Sequence, residues 1–321
     1  MSAGLPHTFQ ELGADIRQLT FQLPLGIDHV HCYFVRGASG AWIVVDTAVA
    51  YPGAEAVWRE AIARLDAPVG HIFVTHYHPD HVGGADLVHE LTGAPVIEGD
   101  RDFQACLAAW APPTRTHRFA GLLDAHGFDP AIAAAAQAAD ELLAPNIRYH
   151  PNPTLTREGE SVDGWEVLHL PGHAAGHLVL IREGVMISGD VLLNRITPNV
   201  SRDAQSGDDP LARYFETLER IAMLAPTRAY PGHGSVIDDP ARRATEIRLH
   251  HDERLAVTRG TLDAGPMTAY EASFLVFAQD LPPTLRRFAF LETLAHLEYL
   301  ANRGKIVRVE STGHPVVYRN L

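Results

Sequence analysis

The run Thr75-His76-Tyr77-His78-Pro79-Asp80-His81 constrains this chain more than any other feature. It packs three histidines and a carboxylate into six residues, directly after the apolar stretch His71-Ile72-Phe73-Val74. A buried strand that ends in such a cluster delivers several metal-ligating side chains to the edge of a sheet. Imidazole and carboxylate are the donors that hydrolytic metal ions favour. The rest of the chain either completes a metal site or leaves it short of ligands.

The segments around the cluster alternate strand and helix. Leu19–Leu23, His31–Val35 and Trp42–Val45 read as strands, the last ending at Asp46-Thr47. Ala54–Leu65 reads as an amphipathic helix with Val57, Ala61 and Leu65 on one face. Strand His71–Val74 leads into the cluster, followed by a helix over Val82–Leu91 and a strand over Pro95–Glu98. Residues 101–150 break the rhythm with an Ala-rich helical insertion, a lid or packing filler, in pieces Phe103–Trp110, Phe119–His126 and Ile132–Leu143. Strands Trp165–Leu170, His177–Ile181 and Val185–Ser188, helix Leu211–Leu224 and strand Arg228–Tyr230 restore it. Two halves with one rhythm imply an α/β two-sheet sandwich with outer helices.

From residue 240 the pattern changes. Helix Ala241–Leu262 is long and charged, and Thr268-Ala269-Tyr270-Glu271 is a capping-box signature opening a second helix. Helix Thr284–Asn302 and strands Ile306–Val309 and Pro315–Tyr318 complete a winged-helix-like layout. The expected division is a catalytic domain over 1–239 and a winged-helix-like domain over 240–321.

Composition narrows the function classes. The formal net charge is -13, yet residues 240–321 hold 11 Arg and Lys against 9 Asp and Glu, a balance of +2. The body ahead of them is therefore strongly acidic, which argues against non-specific nucleic-acid binding without excluding a local basic patch. No apolar run approaches the ~18 residues of a membrane span, and Met1–His7 lacks the basic and apolar regions of a signal peptide. With only Cys32 and Cys106, a disulfide framework is not expected, and a cytoplasmic setting is the simplest reading.

Three later motifs offer further ligands: Leu170-Pro171-Gly172-His173, Ser188-Gly189-Asp190 and Tyr230-Pro231-Gly232-His233. Each places one candidate ligand just past a strand, beside a glycine that lets backbone approach closely. The ordered set His76-x-His78-x-Asp80-His81, His173, Asp190, His233 resembles the metallo-β-lactamase superfamily, across about residues 17–236.

The resemblance implies the αββα sandwich of that family and a binuclear hydrolase. One metal ion takes His76, His78 and His173, the other takes Asp80, His81 and His233, and Asp190 bridges them. Two zinc ions are the default because every donor is nitrogen or oxygen, with iron or manganese as alternatives. A bridging hydroxide is the implied nucleophile, with Asp80 and Asp190 orienting it and moving its proton. Asp46 is expected to support the ligand loop, and His177 to sit beside the ligands or the substrate.

Departures from the family pattern narrow the substrate. β-Lactamases of this family lack the bridging aspartate, so Asp190 argues against antibiotic hydrolysis. His78 stands where diiron electron-transfer relatives carry glutamate. Only 43 positions separate Asp190 from His233, too few for an inserted nuclease domain. A small ester or thioester substrate, of the acyl-CoA type, is the leading expectation, with Arg101, Arg115, Arg118 and Arg148 as candidate contacts to an anionic carrier. The alternatives are a single-strand endoribonuclease, from the β-lactamase-like protein 2 branch of the family, and a regulatory protein that binds nucleic acid through the winged helix. A homodimer is compatible with each.

Overall fold

The computed structural model describes residues 5–23, 28–112 and 119–321. A seven-stranded sheet runs in chain order through β1 (His7–Glu11), β2 (Ile16–Gln22), β3 (His29–Arg36), β4 (Trp42–Val45), β5 (Val69–Phe73), β6 (Val96–Gly99) and β7 (Thr154–Thr156). Its first four strands pair antiparallel and β4 to β7 pair parallel. A second sheet has the order β12-β11-β10-β9-β8, with β8 Ser161–Val162, β9 Trp165–His169, β10 Leu178–Arg182, β11 Val185–Gly189 and β12 Arg228–Pro231.

The apolar pattern explains the layering. In β4 all four residues are buried, because both faces of the sheet are covered. Ile43 and Val45 point to the second sheet and meet Val167, Leu180 and Ile187. Trp42 and Val44 point outward and pack with Val57 and Trp58 of helix α1 (Ala54–Ala63). On the other side Leu168, Val179 and Met186 pack under α7 (Pro210–Leu224). The result is helix, sheet, sheet, helix, the αββα sandwich expected from the sequence.

The predicted helix over Val82–Leu91 is divided into α2 (Pro79–Val82) and α3 (Ala85–Thr92). Gly83 and Gly84 lie between them, and the divide follows from how close the chain passes to the Thr47–Val49 segment. A Cβ on Gly83 would fall 2.2 Å from the Pro79 carbonyl oxygen, and one on Gly84 would fall 2.4 Å from that of Thr47. The break lets the His/Asp cluster turn back over the end of β4. Short strands β1, β7 and β8 went unread in the sequence, as β7 and β8 are three and two residues long and carry no alternation to detect.

The insertion forms α4 (Asp100–Trp110), α5 (Ala120–Ala125) and α6 (Pro130–Leu143). The C-terminal part contains α8 (Pro240–Thr261), α9 (Ala269–Val276) and α10 (Pro283–Asn302). A three-stranded sheet accompanies them, β13 (Met267–Thr268), β15 (His314–Arg319) and β14 (Val307–Ser311) in that order. The Thr268 hydroxyl and Glu271 carboxylate close the capping box that opens α9. The C-terminal helices share one apolar core with α7 and the second sheet through Ile247, Leu255, Phe290 and Leu294, and β15 adds Tyr318. The insertion joins this core through Phe119, Leu123 and Phe128. Arg287 of α10 makes a two-pronged ion pair with Asp140 of α6, both bonds 2.8 Å long. Among the described residues, no helix is long and apolar enough to cross a membrane.

Candidate metal centre

The strand ends of both sheets meet at one rim, where the seven residues expected to hold metal converge. The β5 end presents His76 and His78, and α2 carries Asp80 and His81. His173 follows β9, Asp190 follows β11 and His233 follows β12. Ligand-type atoms cluster in three overlapping groups, His76–His78–His173, His76–His81–Asp190 and Asp80–His81–His233. A Cβ on Gly232 would lie 2.5 Å from Asp190 Oδ1 and 2.6 Å from the His81 ring, so only glycine permits that approach.

Hydrogen bonds on the far side of each ring fix which nitrogen faces inward. His173 Nδ1 donates to the Asn199 carbonyl at 2.7 Å, which leaves a lone pair on its Nε2. The Thr75 hydroxyl donates to Asp46 and is thereby free to accept from His76 Nδ1 at 3.0 Å, again leaving Nε2 bare. These two Nε2 atoms are 3.3 Å apart, and His78 Nδ1 lies 2.9–3.0 Å from both. With lone pairs on both Nε2 atoms, this arrangement requires either a proton on His78 Nδ1 or a cation among the three nitrogens. In the second group, His81 Nδ1 donates to Asp46 Oδ2 at 2.8 Å and His233 Nδ1 donates to the His29 carbonyl at 2.5 Å. Their Nε2 atoms and Asp190 Oδ1 are buried without a hydrogen bond, although Asp80 and Asp190 oxygens lie 3.2–3.8 Å from the two nitrogens. Orphaned donor atoms converging in this way fit divalent metal ions.

The metal-free charge balance divides the centre in two. Burial, reinforced by the neighbouring imidazoles, holds His76 and His78 well below the ordinary histidine range, and burial outweighs Asp190 to lower His173. Burial also opposes charge on His233, but Asp190 and Asp80 overcome it and raise that ring to about 10. His81 is raised for the same reason by Asp190, Asp46 and Asp80. Burial pushes the Asp80 carboxyl upward, and His81 and His233 reverse this, holding it down to about 2, while Asp190 is held well below its usual range. One half is thus a neutral imidazole triad and the other is rich in carboxylate.

Asp46, at the end of β4, accepts from Thr75 N–H, the Thr75 hydroxyl and His81 Nδ1. His177 is fully buried, stacks on His76 at a ring separation of 4.7 Å and accepts from Asp190 N–H at 3.1 Å. Thr75, Asn199 and His29 went unread in the sequence. Thr75 was detectable as a hydroxyl between a buried valine and the first ligand, whereas Asn199 and His29 hold rings through backbone carbonyls, which any residue provides. Of the arginines considered for a carrier, Arg148 is engaged by Glu90 and Asp86, and Arg101 is exposed. Arg115 and Arg118 lie outside the described residues.

Residues 25–233 match the family model of the Metallo-beta-lactamase superfamily. The chain belongs to the metallo-β-lactamase superfamily. A second model, the metallo-beta-lactamase-like C-terminal domain, matches residues 255–321. The probable metallo-hydrolase YqjP of Bacillus subtilis is 28% identical over 307 residues, covering 89% of this chain and 92% of the relative. A beta-lactamase-like protein 2 homolog of Drosophila melanogaster is 30% identical over 280 residues, covering 85% and 82%. A metallo-beta-lactamase family protein of Thermus thermophilus superposes with a TM-score of 0.83 at 34% identity, covering 97% of this chain and all of the other. A beta-lactamase domain protein of Burkholderia ambifaria gives a TM-score of 0.86 at 29% identity, covering 98% and 94%. Metallo-β-lactamase membership makes the chain a metallo-hydrolase whose fold implies divalent metal ions.

Proposed function

We propose that the chain hydrolyses small esters or thioesters with two divalent ions, zinc being the natural choice for an all-nitrogen-and-oxygen donor set. The convergence of bare ring nitrogens and unpaired carboxylate oxygen in overlapping groups carries this reading. His76, His78 and His173 would hold one ion, Asp80, His81 and His233 the other, and Asp190 would serve both. When bound, such ions polarise a substrate carbonyl and acidify a water to near neutral pH. Asp80 and Asp190 orient the attacking water and accept its proton on their carboxylate oxygens. Once the ring gives up a proton in favour of a bound ion, Asp46 would keep the remaining His81 proton on Nδ1 and leave Nε2 for the ion. His177 fixes the Asp190 backbone.

Two observations support a small thioester over a nucleic acid. Asp80 and Asp190 rest ionised, so the only proton either could pass to a leaving group is one first taken from the attacking water. A thiolate departs without one. The basic side chains of the C-terminal part are also largely taken up at home. Arg242 and Arg243 pair with Glu246, Arg248 with Asp252, Arg303 with Asp209, and Arg308 with Glu298 and Glu310. A single-stranded nucleic acid wants an unbroken cationic track. On this reading residues 240–321 are a winged-helix-like domain used for packing, behind a catalytic domain over 1–239.

The test is a screen of the zinc-loaded protein on acyl-CoA, glutathione thioester, lactone and single-stranded RNA substrates. Turnover of a thioester or ester is expected. Cleavage of RNA with no thioester or ester turnover would overturn the substrate assignment.

A further inference from the structure

His173 is held differently from its partners at the rim. The His81 ring is oriented by Asp46 at the end of β4 and the His233 ring by the carbonyl of His29 at the start of β3, both parts of the sandwich. The His173 ring is oriented by the Asn199 carbonyl, which lies in the irregular segment between β11 and α7. That segment has no ladder of its own to fix the carbonyl's direction, so its anchors decide how well the ring is aimed.

The anchors come from helix α10. The Asn199 side chain donates from Nδ2 to Glu292 Oε2 at 2.7 Å and accepts at Oδ1 from the Ser201 hydroxyl. Three residues on, the Arg202 N–H donates to the Leu291 carbonyl at 3.1 Å. Both ends of the Asn199 amide are therefore fixed, one of them by a carboxylate in the C-terminal part. Glu292 is only 8% exposed. Burial raises its carboxyl to about 7, against the smaller opposing effects of the Arg254 charge and the Asn199 hydrogen bond. An apolar side chain of similar size would be cheaper at such a position, so a buried carboxyl there calls for a reason beyond packing.

We propose that Glu292 is a positioning residue of the metal centre, acting from α10 through Asn199 to aim the His173 ring. The inference rests on the reading of His173 as a ligand. It makes the C-terminal part a structural contributor to the active site: Leu291 and Glu292 fix the loop, the loop fixes the ring, and the ring presents Nε2. Partners one step behind a ligand alter metal affinity by about 10–100-fold, and Glu292 stands one step further back, so the lower end of that range applies.

The test is a zinc titration of the metal-stripped full chain, with thermal unfolding measured alongside. In Glu292→Leu, one of two binding events should weaken about tenfold, the other should stay within about threefold, and the metal-free unfolding temperature should hold or rise. Glu292→Gln keeps an oxygen acceptor for Asn199 Nδ2 and should restore both affinities to near the wild-type values. If Glu292→Leu does not fold, Asn199→Ala, which keeps the carbonyl and loses its side-chain anchor, should show the same selective weakening. Wild-type affinities in the folded variant, or equal weakening in Leu and Gln variants, would overturn the proposal. If the wild-type chain itself takes up no zinc, the metal-centre reading fails instead.

Discussion

Asp46→Asn is a change of one atom that should separate metal binding from folding. Asp46 Oδ1 accepts from Thr75 N–H at 2.8 Å, and Oδ2 accepts from the Thr75 hydroxyl at 2.9 Å and from His81 Nδ1 at 2.8 Å. An asparagine must turn its oxygen toward the Thr75 N–H, because the opposite orientation sets two buried donors against each other at a cost of about 1–3 kcal/mol. Its NH2 group then faces His81, whose Nδ1 can remain satisfied only as an acceptor. In the neutral ring that a metal ion requires, the one remaining proton then sits on Nε2, the atom that points at Asp80 and Asp190. Recovering the binding tautomer again leaves two donors facing each other, about 1–3 kcal/mol, which corresponds to about 5–150-fold in affinity. The assay is zinc titration against a chromophoric chelator, with urea unfolding of the metal-free protein as control. Weakened uptake at one site with little loss of metal-free stability is expected. Stepwise affinities that both stay within about threefold of wild type would refute the tautomer argument.

Asp190→Ala and His78→Ala should each lower turnover by at least about a thousandfold while the far-ultraviolet spectrum and cooperative unfolding persist, since the rim contributes donors rather than apolar core; near-wild-type activity in a variant of verified metal content would refute the assigned roles. Arg287→Ala removes the half-buried bidentate pair to Asp140 and the cation stacked 4.7 Å from the Phe119 ring, and should cost about 2 kcal/mol in denaturant unfolding, whereas a loss under about 0.5 kcal/mol would mean the insertion is held by its apolar face alone. Glu98 and Asp102 are buried carboxyls that can bond each other only by sharing a proton, and burial pushes Glu98 from 4.5 up to about 8. Between those values the unfolded chain is ionised while the folded chain keeps its proton, so this pair lowers stability as pH rises through that window. Glu98→Gln should therefore gain in unfolding temperature relative to wild type from pH 5 to pH 8, and a difference independent of pH would contradict the shared proton.

The layer architecture was legible because β4, β5 and β10 are short, apolar and each followed by a polar punctuation mark. Trp42–Val45 reads as a strand from either direction. The cluster from His76 to His81 was legible for a related reason, since no packing role explains three imidazoles and a carboxylate in six residues. The helix Val82–Leu91 was misread because helical periodicity continues through Gly83-Gly84, while the close approach of the Thr47–Val49 segment that breaks it is a tertiary fact. Strands of two or three residues, such as β8 and β7, are held by their neighbours and leave no local signal. Carbonyls that orient His173 and His233 leave none either. The residues that converge at the rim were thus readable from side-chain chemistry, and the scaffold that aims them was readable only in three dimensions.

The most direct measurement is an anomalous difference map from crystals of the zinc-loaded protein. Two peaks per chain are predicted, one among His76, His78 and His173 and one among Asp80, His81 and His233, with Asp190 touching both. A single peak, or peaks away from this rim, would contradict the account.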